Sequence, residues 1–548
     1  MSKFFTSFFL LSVIIILNGG IVKSDPVTEP SSRISLKKIF IKTKTEFKIS
    51  EATGEITLKT GVSSFDKKIK DNKVEKVKRV FRLNNGRKDL YEKFEMNKIY
   101  VLFFKEERSD IETLVSEFSE NENVEYCEPV SSGYAAGVKE IQKFKIRENI
   151  PNDEMFYKQW YLQNNGSVDP TSGGLPKVGA DIKIVYSWEI ETGSDEVVVA
   201  ILDSGLRDDH PDLRDRIWIN SGEIPNNGID DDFNGYVDDV RGWDFAYDDN
   251  RPEDGFGHGT NIATVIGANT NNRIGFAGVD QKCRLMNCKN LNSYNSGEYD
   301  WWSESIKYAV DNGADIINMS EGGDDYSKVL KTAIEYAMES GVLVVAAMMN
   351  KGDNRNYYPA GFDGVMAVGA TDTDDKRCRK FSWGGGSCWG KNISVVAPGN
   401  KIYGLDYENI QAYDVFWSGT SQSTAIVSGI ASLLLAQNMK RTSDDLTKII
   451  TFTAKDLVGD PREDKPGWDQ FYGFGRVDSY AALTYEVPDK IEDDKEITKE
   501  KDVIKDDAEK EKIPENYYRD SEKKNESGDE ESSERKSSKE HPEPSRPD

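Results

Sequence analysis

Short, continuous apolar runs alternate with helical stretches from about residue 197 onwards. The runs that predict buried strands are Val197–Leu202, Leu285–Lys289, Ile316–Ser320, Val342–Ala347 and Val365–Ala370. The stretches with apolar residues at helical spacing include Trp301–Asn312, Val329–Ser340 and Ala425–Ala436. Strands and helices in alternation predict an α/β fold with a doubly wound, mostly parallel sheet, whose chemistry lies at the carboxyl ends of the strands.

A smaller α+β unit is predicted upstream of this sheet. Its elements are a buried strand at Lys98–Phe104, an amphipathic helix at Asp110–Phe118 and a second strand at Val124–Pro129. We therefore expect a small domain at about residues 95–130, within a segment that spans residues 25–150. The Lys-rich part before this domain is weakly patterned, and the part after Pro129 is expected to be an exposed linker.

Both ends of the chain differ in composition from the predicted domains. Lys3, the apolar run Phe4–Leu17 and the small residues up to Ser24 fit a secretory signal peptide over residues 1–24. The alternative is a membrane anchor, but the run is short for a span, and no other stretch predicts an integral membrane domain. Residues 487–548 are rich in Lys, Glu, Asp and Ser, which predicts a disordered charged tail.

The charge balance narrows the choice of partners. The formal net charge is −25, whereas binding to nucleic acid needs clustered Lys and Arg. Acidity favours calcium uptake, or serves only to keep a secreted protein soluble. We therefore expect a secreted monomer that binds no nucleic acid.

A secreted protein passes through an oxidising compartment in which cysteines can form disulfides and sequons can be glycosylated. Cys283 and Cys288 flank a predicted strand about 16 Å long, which is too long for one disulfide. Cys378 and Cys388 bracket a glycine turn, so we predict a disulfide between them. The N-x-Ser/Thr sequons that predict a glycoprotein are Asn165, Asn392 and Asn525.

An acid, a base and a nucleophile occur in the chain order Asp, His, Ser, each in a glycine-bearing turn. They are Asp203 before Ser-Gly, His258 in Gly-His-Gly-Thr, and Ser421 in Ser-Gly-Thr-Ser. Hydrolysis by a serine needs an imidazole that takes the hydroxyl proton and a carboxylate that orients the imidazole. His258 is the only credible base, because His210 lies in a turn soon after Asp203 and His541 lies in the charged tail.

This order and spacing resemble the subtilisin-like serine protease family (subtilases) over roughly residues 155–485. The resemblance implies that Asn350, after a predicted strand, supplies an oxyanion-hole amide beside the Ser421 backbone N–H. It also implies that the upstream α+β unit is an inhibitory pro-domain whose last strand ends in the active-site cleft. On the residues alone, an unrelated small α+β module remains the alternative.

The resemblance further implies an extended peptide substrate held between two backbone edges. The residues of these edges are Ser320, Glu321 and Gly322 on one side and Ser296 and Gly297 on the other. Met349 stands where the family has a glycine that lines the pocket for the residue before the scissile bond. We therefore expect a small residue at that substrate position. Glu321 replaces a leucine, which predicts negative charge that attracts a basic side chain.

An acidic loop supplies the second strong motif. Its oxygen-bearing positions resemble the first half of a calcium loop, and they are Asp230, Asp232, Asn234, Tyr236 and Asp238. Position twelve is Arg241 instead of a bidentate Glu, so the loop is no true EF-hand, and a solvated acidic loop is the alternative. The family resemblance implies a second calcium site at Asp212 and Asn272.

Taken together, the sequence predicts a secreted, calcium-dependent serine endopeptidase that is made as a self-processing zymogen. Its partners are a protein or peptide substrate and its own pro-domain, which acts as the inhibitor. The main rival is a catalytically inactive, subtilase-like binding scaffold, and an esterase or a structural calcium-binding protein are further alternatives. None of the departures from the family, such as Asn261 for histidine and Gln422 for methionine, removes a proton-transfer group.

Overall fold

The computed structural model describes residues 34–47, 55–56, 60–82, 88–135, 138–141, 151–167 and 175–485. The signal peptide and the charged tail predicted from the sequence lie outside these residues, as does the sequon at Asn525. Among the described residues, no helix is both long and apolar enough to cross a membrane.

The upstream part is an antiparallel sheet covered by helices. Its strands are β1 Ile34–Thr43, β2 Glu55–Ile56, β3 Val74–Arg79, β4 Ile99–Phe104 and β5 Val124–Ala135, followed by β6 Val138–Ile141. Its helices are α1 Ser63–Asp71, α2 Lys88–Lys93 and α3 Ile111–Ser119, with a 3-10 turn at Met96–Lys98. The strand order is β5-β1-β4-β3-β2, and the apolar faces of β1, β4, α1 and α3 share one core.

The upstream domain is therefore larger than the predicted 95–130, because it begins at β1. In β1 the buried residues Ile39, Phe40 and Ile41 stand among lysines, and in β3 two buried valines stand among Glu, Lys and Arg. This charge on the open face of the sheet concealed the strand pattern. The linker predicted after Pro129 also differs, because β5 continues to Ala135.

The larger part, from residue 151 on, surrounds a parallel sheet. Its strands are β7 Val198–Asp203, β8 Trp243–Asp244, β9 Arg284–Lys289, β10 Ser296–Glu298, β11 Ile316–Met319, β12 Glu321–Gly322, β13 Leu343–Ala347, β14 Met366–Thr371, β15 Ile393–Pro398, β16 Ile402–Tyr403 and β17 Val415–Ser418. Its helices are α4 Ile184–Ser187, α5 His258–Gly267, α6 Tyr299–Asp311, α7 Lys328–Glu339, α8 Thr420–Gln437, α9 Ser443–Thr453 and α10 Ser479–Thr484, with a 3-10 turn at Phe156–Lys158.

The central sheet has the order β15-β14-β13-β11-β7-β9-β8, and all its neighbouring strands are parallel. Apolar side chains fill both faces, and α6 and α7 lie in one core cluster while α5 and α8 lie in the other. The α/β prediction is confirmed, and each predicted strand is present with bounds that differ by one residue. Helix α8 is buried over most of its circumference because it lies between the sheet and neighbouring helices, which explains its nearly uniform apolar sequence.

The predicted disulfide between Cys378 and Cys388 is wrong, because all five cysteines are free. The glycine turn does bring the two segments together. Cys378, however, faces Ser387 and not Cys388: the Ser387 N–H donates a hydrogen bond to the Cys378 carbonyl at 2.7 Å. Neighbouring residues of an extended segment point to opposite sides. Cys388 accordingly joins the main core, whereas Cys378 packs with Ala370 and Phe381.

Candidate active site

The acid and the base meet at the carboxyl edge of the central sheet. Asp203 is the last residue of β7, and His258 is the first residue of α5. His258 Nδ1 lies 2.8 and 2.9 Å from the two Asp203 carboxylate oxygens, and both side chains are buried. Because Nδ1–H faces the carboxylate, the lone pair of the neutral ring is on Nε2. His258 Nε2 is buried and has no hydrogen-bond partner among the described residues.

The nucleophile candidate lies in the first turn of α8. Gly419 precedes this helix, and the first N–H groups of a helix have no partner within it, so this turn suits a developing anion. The Ser421 hydroxyl donates to the Ser320 carbonyl at 2.9 Å. Ser320 in turn donates its hydroxyl to the Ser421 carbonyl at 3.0 Å, so the two residues hold each other across the cleft.

Asn350 has the free donor that an oxyanion needs. Its Oδ1 accepts the Thr420 backbone N–H at 2.9 Å, which fixes the orientation of the amide because a backbone N–H can only donate. Its Nδ2 is buried and has no hydrogen-bond partner in the described part of the chain. An unpaired buried amide N–H group is costly, and a negatively charged oxygen beside Ser421 would satisfy it.

Strand β5 runs directly between the two predicted substrate edges. On one side Ser132, Gly133 and Tyr134 pair antiparallel with Glu298, Gly297 and Ser296 of β10. On the other side Tyr134 and Ala135 pair with Gly322 and Glu321 of β12. The predicted edge residues Ser296, Gly297, Glu321 and Gly322 are therefore brought together around an extended peptide segment of the chain itself.

Met349 lies behind the β12 edge. Its side chain is fully buried, and a Cβ built on Gly322 would lie 2.8 Å from the Met349 sulfur. The Met349 backbone has a φ of 72°, a conformation that suits glycine better than methionine. A bulky side chain thus occupies space beside the cleft despite its backbone cost.

The charge predicted at Glu321 is not available to a substrate. The side chain is fully buried beneath the edge, where it accepts a hydrogen bond from Asn290 Nδ2 at 2.8 Å. Burial raises the pKa of this carboxyl well above its usual range, and the nearby Asp203 charge acts in the same direction. Because this side chain lies buried beneath the edge and not in the cleft, the expected attraction for a basic side chain of the substrate is wrong.

Two departures from the family pattern contact each other beside the candidate triad. Gln422 Nε2 donates to Asn261 Oδ1 at 3.1 Å, and both side chains are buried. Each replacement therefore satisfies the other without touching the proton path. His210 is likewise structural, because Nδ1 accepts the Asp212 N–H and Nε2 contacts the Ile410 carbonyl.

The acidic loop forms a cluster that differs from the predicted set. Asp230 and Asp232 lie together, and the third carboxylate within reach is Glu223, with ligand oxygens within 4.8 Å of one another. Asn234 borders the cluster through bonds to Asp230 and Asp232. The Asp238 carboxylate is not brought in, because it accepts the N–H groups of a neighbouring turn. The Tyr236 side chain enters the core, so Tyr236 stays a predicted ligand only through its backbone carbonyl.

The second predicted calcium position pairs Asp212 with Asn272, whose Nδ2 donates to the Asp212 carboxylate at 2.7 Å. Burial raises the pKa of Asp212 to about 8, and the nearby Asp153 carboxylate adds to the effect. Asp153 is itself buried and accepts the N–H groups of Asn271 and Asn272. Two buried carboxyl groups close together without a cation are the environment that a bound Ca²⁺ would stabilise.

Sequence reasoning missed Glu223 and Asp153 because neither belongs to a spaced motif. Glu223 lies in the turn just before the acidic loop, whereas Asp153 is brought to Asp212 and Asn272 from a segment remote in sequence. It also missed Trp302, which lies against the cleft. The helical spacing of α6 indicated only that Trp302 belongs to the core.

Comparisons with known proteins agree with this geometry. A model of the subtilase family matches residues 194–475. The thermophilic serine proteinase of Bacillus sp. (strain AK1) is 30% identical over 376 residues, which is 69% of this chain and 77% of that protein. Thermitase of Thermoactinomyces vulgaris is 33% identical over 304 residues, 56% of this chain and 94% of that protein.

Among solved structures, fervidolysin from Fervidobacterium pennivorans, a keratinolytic enzyme related to subtilisin, aligns with a TM-score of 0.55 at 21% identity. The alignment covers 84% of this chain and 63% of that chain. At this identity the likeness concerns the fold alone. The match over 194–475, together with the similarity to these proteinases, shows that the chain belongs to the subtilase family and is a subtilisin-like serine peptidase.

Proposed function

We propose that this chain is a secreted serine endopeptidase made as a self-processing zymogen, with Asp203, His258 and Ser421 as its catalytic triad. The observation that carries the proposal is β5, which crosses between the two edges as an extended peptide and leads towards Ser421. An endopeptidase binds its substrate in this extended form by backbone pairing. Secretion is supported by the signal-like N-terminus.

The chemistry follows from the three side chains and Asn350. His258 Nε2 takes the proton of the Ser421 hydroxyl as the oxygen attacks a peptide carbonyl, and Asp203 stabilises the resulting imidazolium. For this step the hydroxyl turns away from the Ser320 carbonyl to which it now donates. Asn350 Nδ2 and the N-terminus of α8 then stabilise the oxyanion. His258 returns the proton to the leaving amine, and water hydrolyses the acyl-enzyme.

Strands β5 and β6 are paired on either side of Ser421, and their pairing indicates where the chain is cut. Upstream, Ala135 of β5 pairs with Glu321, the residue that follows Ser320. Downstream, Val138 of β6 pairs antiparallel with Ser418 at the end of β17. We therefore propose that the cut falls between these two strands, at the bond between Ala136 and Gly137. These two residues lie outside the described part of the chain, so the assignment rests on their neighbours.

Charge complementarity supports the upstream domain as an inhibitor. Glu128 on β5 accepts the Ser327 hydroxyl and the Lys328 and Val329 N–H groups at the start of α7, an arrangement favoured by the helix dipole. Lys38 lies 2.6 Å from Glu298 and 3.1 Å from Asp300 at the start of α6. A domain held by these contacts keeps β5 in the cleft until the chain is cut and released.

Calcium binding is proposed at both acidic clusters, with Glu223, Asp230 and Asp232 as ligands at one and Asp212, with Asp153 and Asn272 nearby, at the other. A bound cation would offset the mutual repulsion of these carboxylates. It would stabilise the folded chain without taking part in proton transfer.

We expect chelation to lower the melting temperature of the Ser421→Ala chain, which cannot digest itself. One site contributes about 2.7 kcal/mol when free calcium is 100 times Kd. Asp212→Asn is expected to remove part of the calcium-dependent rise in melting temperature, and the exposed Asp215→Asn is the matched control. Equal melting temperatures with calcium and with chelator would contradict both sites.

Met349 predicts a narrow preference at the residue before the scissile bond. Peptides with Ala at this position are expected to have kcat/KM about 100-fold higher than peptides with Phe, because Met349 occupies the space that an aromatic ring needs. Met349→Gly, which suits the local φ of 72°, is expected to lower the ratio of kcat/KM between the Ala and Phe peptides. A preference for Phe in the unaltered enzyme would contradict this prediction.

Labelling by a serine-reactive phosphonate tests the proposed function against the binding-scaffold alternative. The mature chain is expected to be labelled at Ser421, and the Ser421→Ala chain is not. A folded, calcium-bound chain that takes no label and cuts no peptide would favour the scaffold.

A further inference from the structure

Gly133 lies against the indole ring of Trp302, which occupies the space that a side chain at this position would need. It is buried, it lies in β5, and it pairs with Gly297 of β10. A Cβ built on Gly133 would lie 2.4 Å from Cη2 of Trp302 and 2.6 Å from the Gly322 carbonyl oxygen. No carbon atom fits at these distances, so this position of the strand has no room for any side chain.

Trp302 is held firmly in that place. Its side chain is fully buried in α6, and its ring lies 4.9 Å from the Tyr299 ring. A Cβ built on Gly297 would meet Trp302 Nε1 at 2.4 Å, so the same ring also requires glycine on the facing edge. Nε1 has no hydrogen-bond partner among the described residues, although it is buried. The ring therefore fills this end of the cleft by shape alone.

The number of residues between Gly133 and the proposed cut determines which substrate residue contacts Trp302. If the bond after Ala136 is cut, Gly133 is the fourth residue before that bond. Any substrate that pairs with β10 and β12 in the register of β5 puts its own fourth residue against Trp302. Side-chain pockets normally supply the specificity of extended-strand binding, whereas here the pocket is closed.

We propose that Trp302 makes this enzyme selective for glycine at the fourth residue before the scissile bond. With the small residue expected next to the bond, the substrates are extended, glycine-rich segments of the form Gly-x-x-Ala. The inference rests on the proposed peptidase function and names the substrate class of the same site.

The test uses peptides that copy residues 130–141 of the chain, cut by the mature enzyme. Replacing the glycine of position 133 by valine is expected to lower kcat/KM about 100-fold, a loss of the size that overpacking causes. The matched control puts valine at position 132 instead. Ser132 is half-buried, and as the neighbouring strand residue it points away from the face that Gly133 presents to Trp302. This control peptide is expected to be cut within about threefold of the parent.

Trp302→Ala tests the role of the ring itself. The ratio of kcat/KM for the glycine and valine peptides is expected to fall about tenfold in this variant. A complete loss of selectivity is not expected, because the Gly322 carbonyl still borders the position. Because both peptides are cut by the same enzyme sample, a lower yield of folded variant does not alter the ratio.

The outcomes separate this inference from the proposed function. If the unaltered enzyme cuts the glycine and valine peptides equally well, selectivity by Trp302 is wrong while the peptidase stands. If the Trp302→Ala ratio equals that of the unaltered enzyme, glycine is required by the edges and not by the ring. A chain that neither takes a phosphonate label nor cuts the parent peptide refutes the peptidase and, with it, this inference.

Discussion

The full-length Ser421→Ala chain is expected to stay at precursor mass and to hydrolyse no peptide. Ser421 has its hydroxyl in the first turn of α8, next to Thr420, whose N–H donates to Asn350 Oδ1. In subtilisin, removing the nucleophilic serine lowers kcat by about 10⁶-fold, and we expect a loss of that size here. Intact mass of the expressed chain and turnover of a peptide that copies residues 130–141 measure both effects.

A matched control separates loss of the nucleophile from loss of the fold. Ser423 lies in the same helix, is also buried, and donates to the Ala397 carbonyl at 2.9 Å. Ser423→Ala is therefore expected to remove a local hydrogen bond but to leave self-processing in place. Processing of the Ser421→Ala chain, when it is expressed alone, would show that another protease makes the cut.

Asp203→Asn is expected to fold normally and to lower kcat by about 10⁴-fold. The Asp203 carboxylate accepts from His258 Nδ1 through both oxygens, which keeps the proton on that nitrogen and leaves Nε2 as the base. An amide in its place offers an N–H towards the ring and favours the tautomer with Nε2 protonated, which cannot take the Ser421 proton. Steady-state kinetics of the mature variant measure the loss.

The pH dependence provides the check on this second prediction. With the wrong tautomer at neutral pH, activity of Asp203→Asn should recover only where hydroxide can replace the missing base, so its rate should rise with pH. The melting temperature should change little. A variant that retains a tenth of the activity at neutral pH would show that Asp203 does not orient the base.

The catalytic part was predictable because its signals are local. The strands β7, β9, β11, β13 and β14 of the central sheet coincide with short runs rich in apolar residues, and the candidate triad residues lie in short motifs whose order along the chain is diagnostic. A parallel sheet brings the carboxyl ends of its strands to one edge, so the positions of Asp203 and Asn350 just after predicted strands were enough to expect both residues at that edge.

Features that depend on contacts between distant segments were not predictable. The Lys-rich face of the upstream sheet has the composition of a solvated chain, and its charge is explained only by acidic partners elsewhere in the fold, such as Glu298 and Asp300 opposite Lys38. The buried state of Glu321 depends on Asn290, and the closing of the cleft depends on a ring in the next helix. Glu223 and Asp153 join their clusters only through the folding of separate turns.

We propose that the chain lies across its own active site as its first substrate. N-terminal sequencing of the mature protein, expressed with calcium beside the Ser421→Ala chain, tests this claim most directly. We predict a first cut that leaves Gly137 at the new N-terminus, found only when Ser421 is present. An initial cut outside residues 135–138, or the same cut in both chains, would contradict it.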